Sequence, residues 1–260
     1  MLAQVTEALR YRELIRLMVA RDLKVRYRNS VLGFIWCLLN PLLMTAVFTF
    51  VFTILMGSTT IKDYPVFLLV GILAWNFHQA ATMQAIGSIV TNSGLIMKVY
   101  FPREVLPISV VLSNAVNFVL ALIALFALIF AYRVPLGFSL LLLPVILIVQ
   151  IIFASGLALI LSAVTVFYRD VEIIMETILL AWFFLTPIFY RMEDVFPAYT
   201  RLMYILNPMA SIIAAYRNVL YSGGMPAMDF LVRTLLTSLV ILFVGYAFFR
   251  RTAARFAEEL

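Results

Sequence analysis

Residues 105–168 read VLPISVVLSNAVNFVLALIALFALIFAYRVPLGFSLLLLPVILIVQIIFASGLALILSAVTVFY, and Arg133 is the only charged residue among them. A helix of about 20 apolar residues crosses the hydrocarbon core of a bilayer. The segments on both sides of Arg133 exceed that length. They predict two transmembrane helices, one within Val105–Tyr132 and one within Val134–Tyr168.

The same criterion predicts four more spans elsewhere in the chain. The runs concerned are Asn29–Ile61, Tyr64–Met97, Thr177–Tyr190 and Thr234–Arg250. The last two reach spanning length only if their helices begin near Ile173 and near Asp229. We therefore expect an all-α integral membrane protein with six transmembrane helices in residues 29–250, preceded by a cytoplasmic segment 1–28 and followed by a cytoplasmic tail 251–260.

The composition excludes a soluble enzyme. Of the 260 residues 65% are hydrophobic and only 12% are charged, whereas soluble domains carry about 25% charged residues. The chain has one cysteine, Cys37, and one histidine, His78. An intrachain disulfide and a cysteine-based metal site are therefore impossible, and no metal or other cofactor is expected on this chain.

Basic residues predict the orientation of the chain. With a cytoplasmic N-terminus, 13 of the 19 lysines and arginines fall on the inner side, as the positive-inside rule requires. Both termini are then cytoplasmic, and the long segment 191–227 is external. Its apolar residues recur at helical spacing, so we expect short helices that lie at the outer interface or dip into it before the last span.

The segment before the first span predicts an amphipathic helix on the inner interface, since Tyr11, Leu14, Ile15 and Met18 lie opposite charged residues. Its basic residues have two interpretations. They anchor the helix to anionic lipid, or they contact a phosphorylated substrate. The residues concerned are Arg21, Lys24, Arg26 and Arg28.

The first two spans carry polar and aromatic side chains that a helix surrounded by lipid does not need. Such residues pack helices against each other, or they line a channel, where aromatic rings suit the passage of sugars. Both interpretations remain open. The candidate lining residues are Trp36, Asn40, Phe48, Thr49, Phe52, Trp75, His78, Gln79 and Thr82.

The energy for transport has to come from a partner. No acidic residue occurs in the four apolar runs that come first along the chain, which argues against an ion-driven transporter. These runs are Asn29–Ile61, Tyr64–Met97, Val105–Tyr132 and Val134–Tyr168. The chain also lacks the G-x-x-x-x-G-K-[ST] pattern that cradles nucleotide phosphates. Two internal loops, 92–104 and 167–172, mix apolar and charged residues as a docking surface does.

Two long motifs carry a family resemblance. Arg21–Trp36, which continues to Leu39-Asn40-Pro41, and Gly94–Pro107 resemble the opening and the internal coupling segment of ABC-type polysaccharide export permeases. The shorter Arg169-Asp170-Val171 and Leu206-Asn207-Pro208 resemble two further segments of that family. The resemblance extends over nearly the whole chain.

The resemblance implies a channel-forming transport subunit of the cytoplasmic membrane rather than an enzyme. Two copies would assemble with two copies of a separate ATPase that holds ATP and magnesium, and would export polysaccharide on a polyprenyl diphosphate lipid. The O-antigen, capsule and teichoic acid types all fit, and no nucleic acid is involved. The basic residues named above would meet the lipid diphosphate. The residues coupling the chain to the ATPase would be Leu95, Lys98, Phe101, Pro102, Arg103, Glu104, Arg169 and Asp170.

Two other functions are weighed against this one. A type-2 ABC exporter of small hydrophobic compounds would share the fold, but would need a closed apolar pocket instead of an open aromatic and polar path. A membrane-bound transferase acting on polyprenyl phosphates would need grouped acidic residues. Only Asp170, Glu172 and Glu176 cluster, and that spacing is also typical of an ordinary helix start.

Overall fold

A computed structural model describes residues 11–27, 35–57, 61–98, 101–195 and 197–259, apart from the side chain of residue 257. Every regular element in these ranges is helical, which confirms the predicted all-α class. The helices are α1 (Arg12–Tyr27), α2 (Ile35–Thr49), α3 (Tyr64–Ile86), α4 (Ser88–Thr91), α5 (Ser93–Ile96), α6 (Val105–Ala131), α7 (Leu143–Phe167), α8 (Val171–Leu185), α9 (Met192–Val195), α10 (Thr200–Leu206), α11 (Pro208–Leu220), α12 (Met228–Ala253) and α13 (Phe256–Glu259).

Five of the described helices are long and apolar enough to cross a membrane. A π-helical turn extends α2 to Leu55, and a 3-10 turn starts the α7 segment at Phe138. The five spans are Ile35–Leu55, Tyr64–Ile86, Val105–Ala131, Phe138–Phe167 and Met228–Ala253.

The sixth predicted span differs from the other five. Helix α8 has 15 residues, a length of about 22 Å, whereas the hydrocarbon core is about 30 Å thick. It ends at Leu185 because the next residue, Thr186, precedes Pro187 and has the extended conformation that this position favours. Residues 186–190 continue without helical structure. The sixth transmembrane crossing therefore stays a prediction.

Helix α3 is the centre of the bundle. Seventeen of its 23 residues are buried, and it packs against α2, α6, α7, α8 and α11. Other helices therefore cover most of its surface. Because α3 contacts five other helices, the depth of each of them in the bundle can be described by the α3 residues that it touches.

Helices α7 and α12 form the most extensive helix pair through two glycines. A Cβ on Gly156 would lie 2.7 Å from the Leu242 nitrogen, and one on Gly245 would lie 2.5 Å from the Gly156 carbonyl oxygen. Both positions therefore admit only glycine at this separation. Small residues that let two backbones approach closely are a common basis of helix association in lipid.

A second apolar cluster closes one end of the bundle, which we call the inner end. It joins Met18 of α1, Ile96 of α5, Val166 of α7, and Phe249 and Phe256 at the end of the chain. Helix α1, the two predicted internal loops and the C-terminal helices thus lie at the same end. Residues 1–10 lie outside the described residues, and the cytoplasmic location of both termini stays a prediction.

The glycine contact gives a first prediction. Gly245→Val should push α12 away from α7, and the overpacking should destabilise the protein by about 1–3 kcal/mol. Thermal unfolding of the purified protein in detergent measures the effect. Gly94→Val is the matched control, because a Cβ at Gly94 meets nothing within 4 Å. Equal unfolding temperatures for the two variants would contradict this account of the α7–α12 pair.

Candidate functional site

A polar groove opens at the inner end between α1, α3 and α8. Its volume is about 770 Å³, and its walls include Arg21, Asp22, Arg26, Gln84 and Glu172. We call it the inner groove. It is the place where the amphipathic helix, the main buried helix and the start of α8 meet, so a charged group could bind there beside the membrane interior.

The structure brings two of the four predicted diphosphate contacts into this groove. Arg26 donates to Asn114 Oδ1 at 3.2 Å and to Gln84 Oε1 at 2.5 Å, whereas Arg21 donates to Asn92 Oδ1 at 3.3 Å and pairs with Asp22. Lys24 is exposed outside the groove wall. Arg28 lies outside the described residues. Amide acceptors thus hold the guanidinium of Arg26 without neutralising its charge.

The predicted channel-lining residues fall into separate environments. Trp36 and Asn40 line a cavity of about 230 Å³ between α2, α3 and α6. Further along, Phe48 and Phe52 contact Phe189 with ring centroids 4.7 Å and 5.2 Å away. Thr49 is half-buried beside them. This part of the predicted lining is thus an aromatic seam between the outer half of α2 and the residues that follow α8.

On α3 the structure separates the predicted face into buried and exposed parts. Trp75, His78 and Thr82 are buried within the protomer. The rings of Trp75 and His78 pack against Trp182 of α8 at centroid distances of 5.9 Å and 5.0 Å. Gln79 is exposed and accepts a hydrogen bond from Trp75 Nε1 at 3.1 Å. Only Gln79 of these four therefore presents a polar group to the outside of the protomer.

Asn207 and α11 form a segment that we call re-entrant, because it begins deep in the bundle. Asn207 accepts a hydrogen bond from Trp182 Nε1 at 2.9 Å and donates to Thr186 Oγ1 at 3.0 Å. It also caps the start of α11 by accepting from the Ala210 nitrogen. At the other end of α11, Tyr221 donates to the Lys62 carbonyl, beside the start of α3. Helix α11 therefore rises from the level of Trp182 to the outer end.

Arg217 connects this segment to the end of α8. Its guanidinium is buried, donates to the carbonyls of Pro187 and Ile188, and lies 3.5 Å from the centroid of the Phe67 ring. A Cβ on Gly71 would lie 3.0 Å from Arg217 Nη2, so glycine leaves the room that the arginine needs. The non-helical carbonyls after α8 thereby gain donors that neither lipid nor the helix itself provides.

The comparisons with known proteins identify the family. The sequence profile of the ABC-2 type transporter family matches residues 13–221, the greater part of the chain. The chain belongs to the ABC-2 type transporter family. It is 36% identical over 261 residues to the O-antigen export system permease protein RfbA of Myxococcus xanthus, covering 100% of both chains.

More distant relatives of this ABC-2 chain have related names. It is 32% identical over 249 residues to the O-antigen export system permease protein RfbA of Klebsiella pneumoniae, which covers 95% of each chain. It is 23% identical over 245 residues to the polysialic acid transport protein KpsM of Escherichia coli, with 88% of this chain and 90% of the relative covered.

The predicted coupling residues of the ABC-2 chain lie together at the inner end, but their exposure differs. Phe101 is buried in the inner apolar cluster. Arg103 donates to the Ala253 carbonyl at the end of α12 and lies 5.9 Å from the Phe256 ring centroid. Leu95 packs on the edge of the same cluster. Pro102 and Glu104 are half-buried, while Lys98, Arg169 and Asp170 are exposed.

Sequence reasoning missed several polar residues that the structure places at these sites. Asn114 and Asn117 interrupt the apolar face of α6, and they accept hydrogen bonds from Arg26 and Tyr27. Their spacing of three within a charge-free run is the signal that would have found them. Arg217 was counted only as an external charge, although it shares the helical face of Ile213 and Leu220, which are both buried.

The contacts of Arg217 give a second prediction. Arg217→Gln should leave buried carbonyls after α8 unpaired, each at a cost of about 1–3 kcal/mol, and should therefore lower the unfolding temperature in detergent. Arg201→Gln removes an exposed arginine from the neighbouring α10 and should change it little. If both variants unfold at the wild-type temperature, Arg217 does not hold the re-entrant segment.

Proposed function

We propose that this ABC-2 permease exports polysaccharide, carried on a polyprenyl diphosphate lipid, across the cytoplasmic membrane with energy from a separate ATPase. The observation that carries the proposal is the similarity over the full length of the chain to a relative named as an O-antigen export permease. O-antigen, capsule and teichoic acid polymers all remain substrates to be distinguished.

The exposed surface of the bundle supports a polar path along α2, α3 and α8. Gln79, Thr53, Glu176 and Thr177 are exposed on these helices, where contact with lipid would be costly. In contrast, the exposed residues of α12 in its middle turns are apolar, among them Val240 and Phe243. Lipid therefore suits α12. Helices α2 and α8 also expose large apolar side chains, among them Val47 and Ile178, so we infer that the polar path is confined to the strip around Gln79.

A second copy of the chain would complete this path. Only 11% of an 18-residue stretch of the Ile35–Leu55 span is buried within the protomer, and Leu179 is the only residue of α8 that is buried. These are the two least covered long helices that flank Gln79. We infer that the partner protomer covers them and that the path runs between the two copies, from the inner groove past Gln79 to the aromatic seam.

An ATPase would dock at the inner end. Met97, Lys98, Tyr168 and Asp170 are exposed there, a mixture of apolar and charged side chains typical of a docking surface. Phe101 and Arg103 link the first of these loops to α12 and α13. Movement of a docked partner would therefore reach the spans through packed side chains rather than through a flexible connection.

Deletion of the gene in the source organism tests the proposal. Lipid-linked polysaccharide should accumulate in the cytoplasm and vanish from the cell surface, because the polymer can no longer cross the membrane. Polymer composition on both sides of the membrane is measured, and a plasmid-borne wild-type copy is the control.

A different result would favour the other ABC exporter function. If surface polymer is unchanged while sensitivity to hydrophobic compounds rises, the chain exports small apolar molecules. The polysaccharide proposal would then be wrong, although membership of the ABC-2 family would stand.

A further inference from the structure

A further cavity lies at the outer end of the bundle. Its volume is about 420 Å³, and it is enclosed by α9, α10, α11 and the first turns of α12. We call it the outer cavity. The residues of its wall that matter here are Arg191, Glu193, Tyr204, Ser211, Arg217 and Phe230. Phe67 of α3 also lines it, and Arg191 comes two residues after Phe189 of the aromatic seam, so the outer cavity adjoins the outer part of the proposed path.

Positive charge dominates the outer cavity. Arg191 and Arg217 line it, and Glu193 is the one acidic residue of the lining. Arg233 adds a third guanidinium behind the wall, where Nη2 donates to the Tyr204 carbonyl at 2.6 Å and to Ser211 Oγ at 3.3 Å. The nearest further carboxylate on that helix is Asp229, one turn before Arg233 and exposed.

Glu193, the single acidic residue of the lining, accepts a hydrogen bond from a neutral tyrosine. Tyr204 donates its hydroxyl hydrogen to Glu193 Oε1 at 3.2 Å. Burial, and then the charge of Glu193, raise the pKa of the Tyr204 phenol, so the phenol keeps its proton. Among the described residues, no carboxylate forms an ion pair with Arg191, Arg217 or Arg233. Glu193 and Asp229 attract Arg217 and Arg233 from a distance, so among the described residues these guanidinium groups have no anion in contact.

Arginine N–H groups without an acceptor also indicate a binding site for an anion. Arg233 Nη1 is buried and has no acceptor among the described residues. Arg217 has five N–H groups, three of which account for its bonds to the Phe67, Pro187 and Ile188 carbonyls. Carbonyls satisfy donors but do not neutralise a cation, and a buried cation without an anion is unfavourable.

We propose that the outer cavity binds the phosphate of a lipid in the outer leaflet. Phosphate oxygens match the forked donors of arginine, and several arginines can share one phosphate group. The depth fits a lipid head group, since the cavity lies beside the first residues of α12 and near Tyr221, which bonds to Lys62 just before α3. A membrane phospholipid and the diphosphate of an exported lipid-linked polymer offer the same chemistry.

The assignment to the outer leaflet rests on the orientation in the proposed function, but phosphate binding can be measured without transport. Failure to bind would leave the export function untouched. Loss of export after gene deletion would conversely say nothing about this cavity. The two proposals can therefore fail separately.

The experiment uses the full-length protein in mild detergent and isothermal titration calorimetry. The probes are farnesyl diphosphate and dihexanoyl phosphatidylglycerol, with farnesol and dihexanoylglycerol as phosphate-free counterparts. Arg233→Gln and Arg191→Gln each remove a charge and should weaken binding of a phosphorylated probe about tenfold. Arg201→Gln, which removes an exposed arginine of α10, is the matched control and should change binding by less than about twofold.

Binding of either phosphorylated probe supports the site, and the relative affinity of the two probes identifies the source of the phosphate. Tighter binding of farnesyl diphosphate indicates the substrate carrier, and tighter binding of phosphatidylglycerol indicates a membrane lipid. The proposal is overturned if the phosphorylated probes bind no better than their counterparts, or if neither Arg233→Gln nor Arg191→Gln weakens their binding. Arg191 is exposed, so its variant decides the matter should Arg233→Gln fail to fold.

Discussion

A backbone that leaves helical structure inside a bilayer needs donors and acceptors from its own protein, because lipid offers none. This constraint operates where α8 ends at Leu185, far short of the length of a full span. The indole and hydroxyl groups of Trp182 and Thr186 join Asn207 in a small hydrogen-bonded cluster. Arg217 then provides donors for the next carbonyls. The interrupted span and the re-entrant segment therefore stabilise each other.

The lateral surfaces of the bundle differ in the side chains that they expose. Helix α12 packs on α7 through glycines and exposes apolar side chains in its middle turns. Helices α2 and α8 are barely covered, and the α3 surface between them exposes Gln79. The proposed polymer path between two protomers, with lipid around α12, would account for both surfaces. The aromatic seam of Phe48, Phe52 and Phe189 would then narrow the outer part of that path.

Much of the architecture follows from apolar runs alone. The runs predicted the five long spans, and helical spacing predicted the short helices of residues 191–227. The length of α8 did not follow, because Pro187 ends the helix while the apolar composition continues to Tyr190. The burial of Trp75, His78 and Thr82 could not be predicted either. A polar helix face looks the same in sequence whether another helix or water covers it.

Charged residues were predicted less well because their partners are distant in sequence. Arg26 bonds to Gln84 and Asn114 on two other helices, and Arg103 bonds to the carbonyl of Ala253. Neither contact leaves a local pattern. Arg217 has the clearest signal in retrospect, since a cation on the buried face of an amphipathic helix requires a polar neighbour in the fold.

Thiol accessibility tests most directly whether the face on α2, α3 and α8 is a polar path. In a Cys37→Ala background, a single cysteine replaces either Gln79 on that face or Val240 on α12; both side chains are exposed in the protomer. Membranes containing each variant, assembled with the ATPase, are treated with a charged maleimide. The account predicts labelling of the cysteine at position 79 and protection of the one at position 240. Equal labelling of both, or labelling at position 240 alone, would contradict it.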